Sequence, residues 1–228
     1  MAANATTGAH APEQITHCFV LKGYDLTWSM LEGEKVSKEG KPVAIRSKNI
    51  ENRHGRMAPG WYGVILGKSS NGVTRKRYEE CRTKLPNMSI PPWGWKQLKY
   101  WMGNVVGVVK ISHSLPCELC TQSPWAEGPV CNIISDAGWI EKPVPCKGNL
   151  GACPIPDQET RDRVRLLAKS AKESGAIYKT NGELEHPLAS TDVWPQNRKR
   201  KKETVLSKAN YVAELSGVLD KRIKTDPK

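Results

Sequence analysis

At 228 residues, 38% hydrophobic and 25% charged, the chain is long enough for one packed domain of ordinary size with polar ends. Its formal charge of +12 and pI near 9.4 favour polyanionic partners, and ten Lys/Arg against four Asp/Glu between Pro195 and Lys228 put half of that excess in a short tail. No apolar run approaches the ~20 residues that cross a bilayer, and residues 1–14 carry neither a signal-peptide pattern nor an arginine-rich transit pattern.

A soluble intracellular protein, nuclear or cytoplasmic, with no membrane partner is therefore expected. The seven cysteines are an odd number without a secretion signal, which reads as reduced thiols and not as a disulfide framework.

In chain order, residues 1–14 read as a disordered leader. His17–Lys22 is a short apolar run suited to a buried strand, and Tyr24–Leu31 places Leu26, Met30 and Leu31 at helical spacing before Gly33 ends the helix. Val43–Arg46 and Trp61–Leu66 read as strands, the second introduced by Pro59-Gly60, with residues 47–58 a polar loop between them. Arg75–Leu85 is ambiguous between helix and loop. After Pro91-Pro92 comes a tryptophan-rich stretch, then strands over Val105–Ile111, Val130–Ile134, Ile140–Pro145 and Leu150–Ile155.

Many short strands with few helices predict an α+β fold, a small mixed β-barrel spanning 15–156 with a few flanking helices. Val164, Leu167, Ala168 and Ala171 recur with helical period, so 157–178 is expected to be a helix packed on the barrel. Residues 179–204 form a basic linker, and 205–228 a C-terminal amphipathic helix carrying Val205, Ala209, Val212, Leu215 and Leu219. The extension is thus helical and basic.

Between Lys35 and Arg56 basic residues outnumber Glu39 and Glu51, which makes that stretch an electropositive rim attractive to phosphate. Lys35, Lys41, Arg46 and Lys48 are its candidate binding residues; a guanidinium on a strand, as at Arg46, can bond phosphate bidentately or stack on a base. Trp61, Tyr62, Trp93, Trp95 and Trp101 are candidates for base stacking, with Trp93 and Trp95, flanked by Pro and Gly, preferred. Arg198, Lys199 and Arg200 in the run Asn197–Lys202 could serve as an electrostatic arm or a nuclear-import signal. Cys117-x-x-Cys120 with Cys131 has half the spacing of a zinc knuckle, and the second half is missing, so neither metal nor cofactor is expected.

The order of these motifs over residues 16–155 resembles the ASCH domain, a PUA-like barrel family, and is most similar to a small eukaryotic branch of it. Leu31–Lys35 resembles the G-x-K element and Val43–Arg46 the E-x-R strand, while Gly107–Ile111 and Asn132–Pro156 resemble the central and closing barrel strands. The resemblance implies a PUA-like barrel that binds RNA or a nucleotide. Some relatives are implied to hydrolyse acylated cytidine or to cut RNA, which would make Lys35 or Lys41 a catalytic base.

Two departures lean against catalysis here. Val36–Pro42 separates Lys35 from the strand, leaving Lys35 and Lys41 both open for the lysine position, and Ala44 stands where the family has Glu. Non-enzymatic RNA or nucleotide binding is the leading expectation. A modified-nucleoside hydrolase or ribonuclease is the first alternative, and a protein-interaction adaptor working through the C-terminal helix in transcription or RNA processing is the second.

Overall fold

A computed structural model of the chain describes residues 11–36, 44–68, 74–92, 96–149 and 151–180. Lys41, Trp93, Trp95, the tail cations Arg198, Lys199 and Arg200, the linker after Thr180 and the 205–228 helix lie outside the described residues.

The apolar runs become strands. They are β1 (His17–Leu21), β5 (Gly60–Leu66), β6 (Asn104–Pro116) and β7 (Val130–Pro145), joined by the short β2 (Glu34–Val36), β3 (Ala44–Arg46), β4 (Ile50–Arg53), β8 (Ala152–Pro154) and β9 (Ile177–Lys179). Seven of them form one sheet along the path β4-β7-β6-β5-β1-β8, with β9 pairing β7, while β2 and β3 make a separate hairpin.

The sheet is mixed, since β1 and β5 run parallel and the other ladders are antiparallel. Register shifts along β6 mark bulges, which bend and twist a ladder. The result is a partly curled half-barrel with ends at β4 and β8, where a closed barrel was expected from the strand count.

Successive side chains of β1 and β5 enter different cores, and on β6 the alternation slips by one residue at the bulge around Gly107. Phe19, Tyr62, Val64, Val106 and Val109 pack with Met30 and Leu31 of α1 (Tyr24–Leu31), and Cys18, Ile65, Val105 and Val108 pack with Val164 and Ala168 of α3 (Gln158–Glu173). Burial on both faces is why Val105–Val109 reads as a continuous apolar run and not as an alternation.

The helix α1 is nearly encircled by protein, and its hydroxyls are satisfied locally: Thr27 Oγ1 donates to Gly23 O at 3.0 Å and Ser29 Oγ to Asp25 O at 2.8 Å. The ambiguous segment is a helix, α2 (Arg75–Lys84), capped by the Thr74 side chain accepting from Arg77 N–H and anchored by buried Tyr78 and Cys81. At α3, Asp157 caps the first turn by accepting from Thr160 N–H at 2.7 Å.

Three expectations shift. Pro12–Gln14, expected to belong to the leader, form a 3-10 turn, and residues 1–10 lie outside the described residues. Part of the expected loop 47–58 is the strand β4, whose charged residues hid it. The segment 157–178 ends its helix at Glu173 and contributes β9 instead, with Tyr178 Oη donating to Met30 O at 2.7 Å. Among the described residues no helix is long and apolar enough to cross a membrane.

Close backbone approach fixes β9 on β7. A Cβ on Gly138 would lie 2.4 Å from the Ala176 carbonyl oxygen and 2.8 Å from Ile177 Cα, whereas one on Gly55 would meet nothing within 4 Å. Gly138→Ala should therefore cost about 1–3 kcal/mol of unfolding free energy by overpacking. Gly55→Ala should leave stability unchanged or slightly raised. Urea titration of both variants checks this, and equal midpoints would refute the assigned β7–β9 contact.

Candidate functional site

The hairpin separates two residues that the sequence placed together. Opposed residues of an antiparallel pair share a face, and Lys35 is opposed by Ile45 while Glu34 is opposed by Arg46, so Lys35 and Arg46 sit on different faces of the hairpin. Both are exposed. Glu34 is buried and its Oε1 accepts from Asn87 Nδ2 at 2.6 Å.

Lys48 is buried at 3% exposure, where its ammonium donates to Glu51 Oε2 at 3.0 Å and to the Ile50 carbonyl. Arg53 Nε lies 2.9 Å from the other oxygen of the same carboxylate, an ion pair by distance whose N–H is not aligned on the oxygen. Its Nη2 donates to Val20 O at 3.3 Å, and the guanidinium stands 5.4 Å from the Phe19 ring centroid. One carboxylate thus serves two cations, which leaves an excess of positive charge along β4.

A cleft of about 620 Å³ opens over this network. Five cations line it, Lys22, Lys48, Arg53, Arg77 and Lys84, against the three carboxylates of Glu51, Glu80 and Glu127. Arg77 is held by Asp25 (Nε to Oδ2, 3.2 Å) and Lys84 by Glu127 (2.7 Å), with the Lys84 ammonium 4.6 Å from the centre of the Trp125 ring.

A second hollow of about 960 Å³ shares Arg53 and Gly151 with the first. Its described lining includes Arg53, Arg56, His17 and His54 and contains no aspartate or glutamate. Trp61 and Tyr62, two of the stacking candidates, reach it from β5 although both are largely buried.

The loop that forms its rim is braced from below. Buried Asn132 accepts from Met57 N–H at 2.8 Å and from Ser114 Oγ at 2.7 Å while its Nδ2 donates to Glu51 O at 3.0 Å. Tyr62 Oη donates to Ala58 O at 2.9 Å. The cationic loop 53–58 is therefore positioned on the sheet before any ligand arrives.

The remaining candidates have structural settings of their own. Trp101 stacks edge-on with Trp28 and Trp139 at centroid separations of 5.8 Å, a half-buried tryptophan cluster on the α1 face. Cys120 and Cys131 share one apolar cluster with Cys117 at its edge, and the thiol hydrogen bond between Cys120 and Cys131 raises Cys131 and lowers Cys120. No group of three His, Cys, Asp or Glu side chains among the described residues is placed to hold a metal ion.

Sequence reasoning counted Arg53 and Arg56 only as members of a basic stretch and did not select His17 or His54. The available signal was the exposed histidine that opens the apolar run of β1. No family model matches the chain, and no curated protein matches it.

Two measurements test the buried charges. Glu51→Gln should cost about 3–5 kcal/mol, because it leaves Lys48 and Arg53 without their shared counter-charge; a urea midpoint unchanged from wild type would refute the network. Burial lifts the Asp25 carboxyl above its ordinary 3.8 despite the opposing pull of Arg77. A carboxyl raised on folding contributes stability that is fully present below its unfolded value and is lost as pH rises through the folded one. The stability of wild type relative to Asp25→Asn should therefore fall as pH rises above the ordinary carboxyl value in urea titrations, and a flat difference would contradict the assignment.

Proposed function

We propose that the chain is a non-enzymatic RNA- or nucleotide-binding protein of the PUA-like ASCH kind, and that the hollow beneath loop 53–58 receives the phosphate-bearing part of its ligand. One observation carries the reading: the hollow is lined by Arg53, Arg56, His17 and His54 with no carboxylate among its described lining residues. Its volume, about 960 Å³, lies near the upper end of the ~300–1,000 Å³ typical of small-molecule sites. An anion there meets guanidinium donors and imidazoles, with no carboxylate among the described lining residues.

The order of the sequence motifs supports the family part of the proposal, and the net charge of +12 supports a polyanionic partner. Base contacts fall to aromatic side chains at the site, since stacking tolerates any base. In this reading Arg198, Lys199 and Arg200 add sequence-independent attraction to the same polyanion. Lys35 and Arg46, exposed on their hairpin, are peripheral phosphate contacts.

Gel-shift titration of single-stranded RNA over a range of salt tests this directly. Binding should weaken linearly in log–log form as salt rises, and Arg56→Ala should reduce the slope by about 0.7, the value of one phosphate contact on a single strand. Exposed Lys142, paired only loosely with Glu141 at 3.9 Å, gives the control variant Lys142→Ala, which should leave the slope unchanged. Absence of RNA affinity at low salt, or an Arg56→Ala slope equal to wild type, would sink the proposal.

A further inference from the structure

Cys18, far from Cys146 and Cys153 in sequence, shares one apolar cluster with them beside the sheet end formed by β8. Cys18 of β1 and Cys153 of β8 are directly opposed in an antiparallel ladder, and their Sγ atoms are 3.7 Å apart. Ile155 N–H donates to Thr16 O at 2.9 Å, which places Thr16 and Ile155, and two residues along Cys18 and Cys153, at hydrogen-bonded ladder positions. Such pairs have Cα atoms about 5.5 Å apart, within the span of roughly 4.4–6.8 Å that a disulfide bridges.

The two thiols are not equivalent. Cys18 is fully buried, while Cys153 keeps 7% of its surface and its sulfur accepts the Asn149 N–H at 3.5 Å. The hydrogen bond between Cys18 and Cys146, with burial, keeps Cys18 protonated.

We propose that Cys18 and Cys153 form a redox pair, in which Cys153 reacts with a peroxide and Cys18 then closes a disulfide that fastens β8 to β1. In the first step the Cys153 thiolate attacks one peroxide oxygen; an S–O bond forms, the O–O bond breaks, and the released hydroxide takes up a proton as water. In the second step the Cys18 sulfur attacks the sulfenic sulfur, the S–S bond forms as the S–O bond breaks, and the departing hydroxide takes the Cys18 proton. Two thiols and one hydrogen peroxide give one disulfide and two waters, so the sulfurs supply both electrons.

The bridge has a structural consequence at the clefts. The residues leading into β8 form their shared wall, with Gly148, Asn149 and Gly151 on the first and Gly151 and Ala152 on the second. A covalent rung at Cys153 fixes that wall to the sheet. In a glutathione-buffered compartment the bond is reversible by thiol exchange.

The test uses the full reduced chain exposed to a small excess of hydrogen peroxide, alkylated, digested without reductant and mapped by mass spectrometry. A dithiothreitol-sensitive cross-link between the Cys18 and Cys153 peptides is expected, retained in Cys146→Ser and lost in Cys153→Ala. Proteolysis within residues 146–153 should be several-fold slower in the oxidised protein. A dominant Cys18–Cys146 link, or Cys153 advancing to sulfinic acid while Cys18 stays alkylatable, would overturn the proposal. The wild-type map decides the matter even if a variant fails to fold.

Discussion

Val105 and Val108 leave β6 toward α3 while Val106 and Val109 leave it toward α1, and all four are fully buried. A strand that hides both faces needs a covering layer on each side, and burial of that apolar surface is the main favourable term available to a domain of this size. The demand fixes the helices: α3 carries Val164 and Ala168 to one face, and α1 carries Met30 and Leu31 to the other. Gly107 and Gly138 follow from the same closeness, since a Cβ at Gly107 would lie 2.4 Å from Leu31 Cδ1 and 2.6 Å from the Gly138 carbonyl oxygen.

With the centre of the sheet committed to apolar packing, polar chemistry is left to its ends. The strand β4 sits at one end and, among the described residues, pairs with β7 alone, and there the chain buries Lys48 and Glu51 together. Burial of either charge alone would be costly, but a carboxylate with each oxygen facing a cation offsets much of that desolvation. Asn132 completes the arrangement by joining the backbone of Glu51 to that of Met57, so the charged strand and the cationic loop after it move as one piece.

The legibility of the sequence follows the same division. The strands β5 and β6 and the helices α1 and α3 were readable because their side chains answer to one dominant environment, which leaves a run or a period. The strand β4 was not, because Lys48, Glu51 and Arg53 look solvated in sequence and are brought together only in space. The helix α2 shows just two buried anchors, Tyr78 and Cys81, too few to set a period, and β9 is three residues long. Of the site, the basic character of residues 35–56 was legible, but its geometry was not. Strand alternation divides Lys35 from Arg46 and burial occupies Lys48, while His17 joins His54 and Arg56 only through folding.

Arg53 is where the two clefts meet, and its surroundings distinguish them. On the side of β4 it faces Glu51, and three more of the five cations of the first cleft are held by acids: Arg77 by Asp25, Lys84 by Glu127 and Lys48 by Glu51. An anion entering that cleft must displace carboxylates that hold the fold together. On the other side Arg53 joins Arg56 and the two histidines without such a competitor among the described lining residues. The first cleft is therefore a polar network whose ion pairs belong to the fold, while the second has basic side chains and no carboxylate among its described lining residues. Sharing Glu51 between Lys48 and Arg53 leaves the guanidinium facing a single carboxylate oxygen, and that contact, with the Val20 carbonyl, holds it at the junction of the two clefts.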